Sequence, residues 1–368
     1  MISELTPLVI GDLKLKVPII QGGMGVRVST SSLAAAVANC GGGGTIASVG
    51  LPPDTPENRS DVPASSKKYL RIEIKRAREL SPKGVIGVNI MVALSNYEDM
   101  VRTSVEEGAD YIISGAGLPM SLPEYVDKGS NIKLIPLISS ARGAAVIFKT
   151  WKKRYNRFPD AMVIEGPLSG GHIAGHTIEQ LRDNRDIRLL EDSFREFIAY
   201  IREIETEYKI KIPVLAAGGI FDGKDIAKFL RMGANGVQMG SRFVATCECS
   251  VSENYKQLYL RAGANDTVYI KSPVGMPARV IKTKFVEAVL RGEKKPISCN
   301  YRCLRTCDPA ASHFCIAKAL IDAAEGDIDN AVVFAGANVS RITEIVTVKE
   351  LIDGLVKETV GELNRIPG

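Results

Sequence analysis

The sequence predicts a TIM (β/α)8 barrel followed by an appended C-terminal helical, cysteine-containing region. Eight short aliphatic or β-branched runs recur along the chain, and stretches of helical period separate them. The alternation stops after Pro273, where the cysteines begin to crowd.

The eight runs lie near Val17–Ile20, Gly44–Ala47, Val85–Asn89, Tyr111–Ser114, Lys133–Leu137, Ala161–Ile164, Pro213–Ala216 and Gly236–Met239. Their nearly continuous apolar character suits parallel strands buried on both faces; a half-exposed antiparallel sheet would alternate. A doubly wound open sheet is the alternative. Among the helices, Phe194, Phe197, Ile198, Ile201 and Ile204 share one face, with Asp192 or Ser193 as the cap. Ser31 precedes an alanine-rich helix that the glycines Gly41–Gly44 stop, and Asp222 precedes another that ends at Gly233. Residues Leu51–Ser65 hold Pro52, Pro53, Pro56 and Pro63 and are expected to form a long loop at the mouth of the barrel, as a lid or as a solvated excursion. The expected division is 1–272 for the barrel and 273–368 for the appended region, which ends in helices such as Val348–Val356.

Composition narrows the function. Apolar residues make up 45% and charged residues 24% of the 368, the balance of a globular protein with a substantial core. The net charge of +5 is spread along the chain, so nucleic acid is not an expected partner. MISELTPLVI lacks a basic, apolar leader pattern, and no run is long enough for a membrane helix. A cytoplasmic location, small-molecule ligands and no membrane partner are therefore expected; a homo-oligomer stays open.

Three motifs carry the chemistry. Pro18-Ile-Ile-Gln-Gly-Gly-Met-Gly25 runs from the first strand into paired glycines that would let the backbone approach a flat ligand, or simply turn. Ala216-Ala-Gly-Gly-Ile220 and Gly236-Val-Gln-Met-Gly-Ser-Arg-Phe243 end strands seven and eight, where barrels often bind phosphate through amides at a helix start. Gly219 and Gly240 are the expected points of close approach, and Ser241 adds a hydroxyl. Glu165-Gly-Pro-Leu-Ser-Gly-Gly-His172 closes strand six and sets His172, one of only three histidines, at the catalytic end. His176 has no comparable context. Asn89, closing strand three, completes a set suited to a mononucleotide with a planar head.

At these residues the sequence resembles the nitronate monooxygenase family, also called 2-nitropropane dioxygenase-like, which includes the FMN-dependent enoyl-acyl-carrier-protein reductases. The resemblance covers roughly Pro18 to Arg279 and rests on the ordered set PIIQGGMG, GVN, EGPLSGGH, AAGGI, GVQMGSRF and Ser272-Pro-Val-Gly-Met-Pro-Ala-Arg279. It implies FMN contacts from Gly23, Met24, Asn89, Glu165, Gly170, Gly219, Gln238, Met239, Gly240 and Ser241, and it makes His172 the active-site histidine. Glu165 stands where many relatives carry glutamine, a change that bears on a hydrogen bond to the flavin. Gly171-His-Ile-Ala-Gly175 is one residue longer than the GGHxG common in relatives.

The expected activity is that of an FMN-dependent oxidoreductase, a nitronate monooxygenase oxidising alkyl nitronates with O2. The alternative is an NAD(P)H-dependent reductase of an enoyl thioester or another activated alkene on the same barrel. An enzyme resembling inosine-monophosphate dehydrogenase would need a nucleophilic cysteine after strand six, where this chain offers Ser169. Four of the seven cysteines, Cys299, Cys303, Cys307 and Cys315, could ligate an iron–sulfur cluster or zinc, although their spacing matches no strong zinc-finger or ferredoxin pattern. Buried free thiols are the alternative, and a helical stretch would set the first three on one face.

Overall fold

Each of the eight apolar runs forms a strand in the computed structural model, which describes residues 3–183, 189–297, 299 and 301–365. The strands are β1 (Ile19–Gln21), β2 (Gly43–Ala47), β3 (Val85–Met91), β4 (Tyr111–Gly115), β5 (Lys133–Ile138), β6 (Met162–Glu165), β7 (Val214–Ala217) and β8 (Gly236–Met239). Every neighbour pair is parallel, and β8 closes on β1 with Val237 opposite Ile19. The TIM barrel is therefore the fold, as the continuous apolar runs predict. In register, Asn89 lies opposite Ala47 and Glu165 opposite Ala217, so these two polar residues stand at the C-terminal ends of their strands.

The barrel interior is packed by exchange of size between strands. Tyr111 is fully buried, and a side chain at Gly87 would meet its ring at 2.1 Å. Its hydroxyl lies 2.8 Å from Thr45 Oγ1 and donates to the Gly44 carbonyl at 3.0 Å, which satisfies the polar tip of a buried aromatic. A hairpin of Leu8–Ile10 and Leu13–Leu15 plugs the N-terminal end; its buried Leu8, Ile10 and Leu15 join Ile20, Tyr111 and Val163 in one apolar cluster.

Two helical expectations change. The helix Leu190–Tyr208 begins before Asp192, which lies in its first turn with Glu191 and is not the cap, while Phe194, Phe197, Ile201 and Ile204 are buried as expected. Residues 51–65 are not one loop: Pro56–Ser60 and Val62–Leu80 are helices, capped by Thr55 and Asp61. Pro56 and Pro63 fall in the first turns, where a missing N–H breaks no helical bond, so they start these helices.

The expected boundary at 272/273 has a definite place in the structure. It falls within the turn of an antiparallel hairpin, Thr267–Lys271 with Pro277–Ile281. The second of these strands also pairs with Val333–Phe334 and with Gly171–His172 from the loop after β6. The region beyond 273 is thus partly sheet, stitched to the barrel mouth by backbone hydrogen bonds. Val348–Asn364, opened by a capping box between Thr347 and Glu350, packs on the helices Gly223–Arg231 and Ser31–Asn39, which follow β7 and β1. It takes the place of the helix expected after β8. The outer limits of the two expected regions, residues 1–2 and 366–368, lie outside the described residues.

Candidate functional site

The C-terminal ends of the strands open into a cavity of about 1170 Å³. Gly23, Met24, Asn89, Glu165, Gly170, His172, Gly219, Gln238, Met239, Gly240 and Ser241 all line it, although they are spread over more than two hundred residues of chain. His176 does not line it; it is half-buried, with Nδ1 3.3 Å from the Ala174 carbonyl.

The loop after β1 is held by buried side chains. Gln21 Nε2 donates to Ser29 Oγ at 2.9 Å, Gln21 Oε1 accepts from the Thr45 amide at 3.1 Å, and Ser29 Oγ accepts from the Met24 amide at 2.7 Å. Gly23 has a steric reason to be glycine, because a methyl there would lie 2.1 Å from Asn89 Cβ. The bare backbone makes room for Asn89.

The turns after β7 and β8 meet on one side of the cavity. Gly218 and Gly219 have φ of +89° and +90°, a conformation that favours glycine. The helix after β8 is the single turn Ser241–Val244, so its dipole is far smaller than the expected helix start implied. A third segment, absent from the motifs read in the sequence, completes this corner. Gly336 N–H donates to Ser241 Oγ at 2.9 Å, and Asn338 Nδ2 donates to the Gly219 carbonyl at 2.6 Å. Its signal was Phe334-Ala-Gly-Ala-Asn338, small residues and an amide directly after a short aliphatic strand, like the other two turns.

The loop carrying His172 is anchored from beneath by Arg279. This buried guanidinium donates to the carbonyls of Ser169 at 3.2 Å and Pro167 at 2.8 Å and stacks 4.6 Å from the centre of the Tyr269 ring. It has no carboxylate partner among the described residues. A side chain at Gly170 would come within 2.6 Å of the Ala335 carbonyl carbon, so the His172 loop and the 335–338 segment are in direct backbone contact.

Electrostatically the cavity is unusual in holding two enclosed titratable groups without a counter-charge. Burial raises the Glu165 carboxyl to about 7 and lowers His172 to about 4, so at neutral pH the imidazole is uncharged and the carboxyl holds a proton far more readily than an exposed one. His172 Nε2 is 2.8 Å from Ser272 Oγ, and its ring meets Phe334 edge-on at 5.1 Å. Glu165 accepts no hydrogen bond from protein among the described residues. Ser48 Oγ, Ser169 Oγ and Gln238 Oε1 are buried at the cavity wall without partners. Orphaned polar atoms around a large concave site are what a polar, flat ligand would satisfy.

The cysteines behave differently from expectation. Cys299 and Cys303 line the outer cavity, while Cys307 and Cys315 do not. Among the described residues the stretch forms no helix before Ile316: Leu94 and Leu304 form an antiparallel bridge, and the Ser95 amide donates to the Cys303 carbonyl at 3.0 Å. Cys315 is the N-cap of Ile316–Glu325, and Cys307 Sγ lies 3.7 Å from Ser312 Oγ. Backbone pairing of this segment with the barrel loop thus replaces the shared helix face. Among the described residues no group of three or more His, Cys, Asp or Glu side chains is disposed to hold a metal ion. No helix among them is long and apolar enough to cross a membrane.

The family model described as nitronate monooxygenase matches residues 6–358. The chain is 31% identical over 277 residues to a (3aS,4S,5R,7aS)-5-hydroxy-7a-methyl-1-oxo-octahydro-1H-indene-4-carboxyl-CoA dehydrogenase of Mycobacterium tuberculosis, covering 75% of this chain and 66%, just under two thirds, of that one. It is 28% identical over 305 residues to a probable nitronate monooxygenase of Staphylococcus saprophyticus, covering 77% and 80% of the two chains. A solved structure of FabK from Thermotoga maritima superposes with a TM-score of 0.70 at 28% identity, over 94% of this chain and 93% of that chain.

Proposed function

This chain belongs to the nitronate monooxygenase family, and from that premise we propose that it is an FMN-dependent oxidoreductase that oxidises alkyl nitronates with O2. The observation that carries the proposal is the cavity itself, where an uncharged imidazole and an unpartnered carboxyl face three glycine-rich turns and a set of orphaned polar atoms.

The residues fit FMN. Gly219, Gly240 and Ser241, steadied by Gly336 and Asn338, would hold its phosphate, and Gly23, Met24, Asn89, Glu165, Gly170, Gln238 and Met239 would surround the ribityl chain and ring. The buried Gln238 Oε1, Ser48 Oγ and Ser169 Oγ would find their missing partners there. When bound, FMN supplies the electron acceptor that no side chain of this site provides. His172 then orients an anionic ligand by hydrogen bonding, and its neutrality keeps the site free of a fixed ion pair that would immobilise the anion. Glu165, in its protonated form, can donate a hydrogen bond where a glutamine would also donate; ionised, it can only accept.

A second reading, an NAD(P)H-dependent reductase of an enoyl thioester or another activated alkene, is favoured by one observation. At about 1170 Å³ the cavity exceeds the roughly 300–1,000 Å³ of an ordinary small-ligand pocket, and its lining includes the apolar Val62, Leu94, Leu304 and Leu320 as well as Arg59 and Arg302. Room and apolar lining of this kind suit an extended acyl chain. The two readings separate in one experiment, in which the cofactor is extracted and identified and the oxidised protein is titrated without oxygen with nitronate, NADH and NADPH in turn. Bleaching of the flavin by nitronate supports the first reading; bleaching by a reduced nicotinamide with no response to nitronate replaces it with the second.

A further inference from the structure

Ser272 is the residue around which His172 is built. It is 2% exposed, lies at the start of the turn between Thr267–Lys271 and Pro277–Ile281, and has both of its backbone groups engaged, its N–H donating to the Met276 carbonyl at 3.1 Å and its carbonyl accepting from Gly275 at 2.9 Å. Its hydroxyl oxygen accepts from the Val274 amide at 3.3 Å and lies 2.8 Å from His172 Nε2. A hydroxyl has one proton to give. Among the described residues His172 Nε2 is the acceptor within reach of it, so the arrangement that uses every group has Ser272 O–H donating to Nε2.

The ring then carries its own proton on Nδ1. Nδ1 has no protein partner among the described residues, and His172 lines the cavity. Two further contacts hold the imidazole plane: the backbone of His172 is paired with Ala278, and the ring is packed at 69° against Phe334. We propose that Ser272 is a positioning residue that locks His172 as the Nδ1–H tautomer, so that the imidazole meets the ligand as a hydrogen-bond donor and not as a base. A donor is what an anionic ligand requires, and which ring nitrogen is protonated is set by the bond the other makes. The use of that donor toward a nitronate, or toward the enolate oxygen of an activated alkene, rests on the function proposed above; the tautomer does not.

The test is nitrogen NMR of the FMN-loaded protein with 15N-labelled histidine. With only three histidines in the chain, His172→Asn identifies the signal. The wild-type protein is expected to show a protonated, pyrrole-like Nδ1 and an unprotonated Nε2. Ser272→Ala is expected to lose that pattern in favour of mixed or Nε2–H signals, with kcat/KM falling about 5- to 100-fold, the range for a displaced hydrogen-bond donor. Ser272→Thr, which keeps the hydroxyl, should restore the Nδ1–H pattern and most of the rate. A wild-type signal showing Nε2–H or imidazolium overturns the proposal, as does Ser272→Ala retaining the Nδ1–H pattern in folded protein. If the wild type shows Nδ1–H but turns over no nitronate, the function is wrong and the tautomer stands.

Discussion

The hydroxyl of Ser241 accepts a hydrogen bond from the amide of Gly336 at 2.9 Å, joining the turn after the last barrel strand to a loop 95 residues further along the chain. Beside it, Asn338 bonds the Gly219 carbonyl, so the phosphate corner proposed for FMN is held from three directions. Ser241→Ala leaves the Gly336 N–H without its acceptor, and a lost bond of this kind costs about 1–3 kcal/mol. FMN affinity is expected to fall about 5- to 100-fold in a fluorescence titration of apoprotein. Unaltered affinity would place the phosphate elsewhere.

Two glycine substitutions should move stability in opposite directions. At Gly170 a methyl group would lie 2.6 Å from the Ala335 carbonyl carbon and 2.7 Å from the Gly336 nitrogen, and backbone cannot swing aside. Gly170→Ala is expected to destabilise by about 1–3 kcal/mol and to weaken FMN binding. Gly354, inside the helix Val348–Asn364, has open space around its would-be Cβ, so Gly354→Ala should stabilise by about 0.5–1 kcal/mol. Urea unfolding of the two variants checks both signs.

The pH dependence of apoprotein stability has a predictable sign. Glu165 is raised from 4.5 to about 7, so the folded state binds its proton more tightly; the associated stability is complete below pH 4.5 and is lost as pH rises to 7. His172 is lowered from 6.5 to about 4, so its contribution is complete above pH 6.5 and is lost as pH falls to 4. The two slopes oppose each other between pH 4.5 and 6.5. Glu165→Gln removes one of them, and its stability should climb with pH across that interval more steeply than the wild type. Parallel urea-midpoint profiles for the two proteins would contradict the assignment.

Arg279 is a buried cation satisfied by two carbonyls of the His172 loop. Arg279→Met leaves both acceptors unpaired, and about 2–4 kcal/mol of stability should go with them. Arg279→Lys keeps the charge but loses the planar fork, so it should recover only part of the loss. Thermal unfolding of the three proteins orders them, and a wild-type midpoint for Arg279→Met would remove Arg279 from the support of the loop.

Much of the barrel was legible in the linear sequence. Parallel strands enclosed on both faces must be apolar throughout, so Val85–Met91 or Val214–Ala217 declares itself without reference to any neighbour. Glycine turns at the ends of strands are equally local, which is why Gly219, Gly240 and Ser241 could be named in advance as lining one place. The proline-rich stretch was harder, because Pro52 and Pro63 look alike in sequence, and only the caps at Thr55 and Asp61 distinguish a loop proline from one that opens a helix.

By itself, then, the sequence determined the closed eight-stranded barrel, the end at which its polar residues gather and the family to which the chain belongs, since each depends on residue types at short spacing. Tertiary structure alone decided what surrounds His172. Ser272 reaches it across 100 residues, Arg279 braces its loop, and Gly336 and Asn338 return to Ser241 and Gly219 from beyond the last strand. The strand Pro277–Ile281 pairs with its hairpin neighbour Thr267–Lys271 and with two distant segments, Val333–Phe334 and Gly171–His172, just beyond the boundary expected at 272/273. Hydrogen bonds between distant segments leave no period in a sequence, because their geometry exists only after the barrel has closed and brought the segments to its mouth.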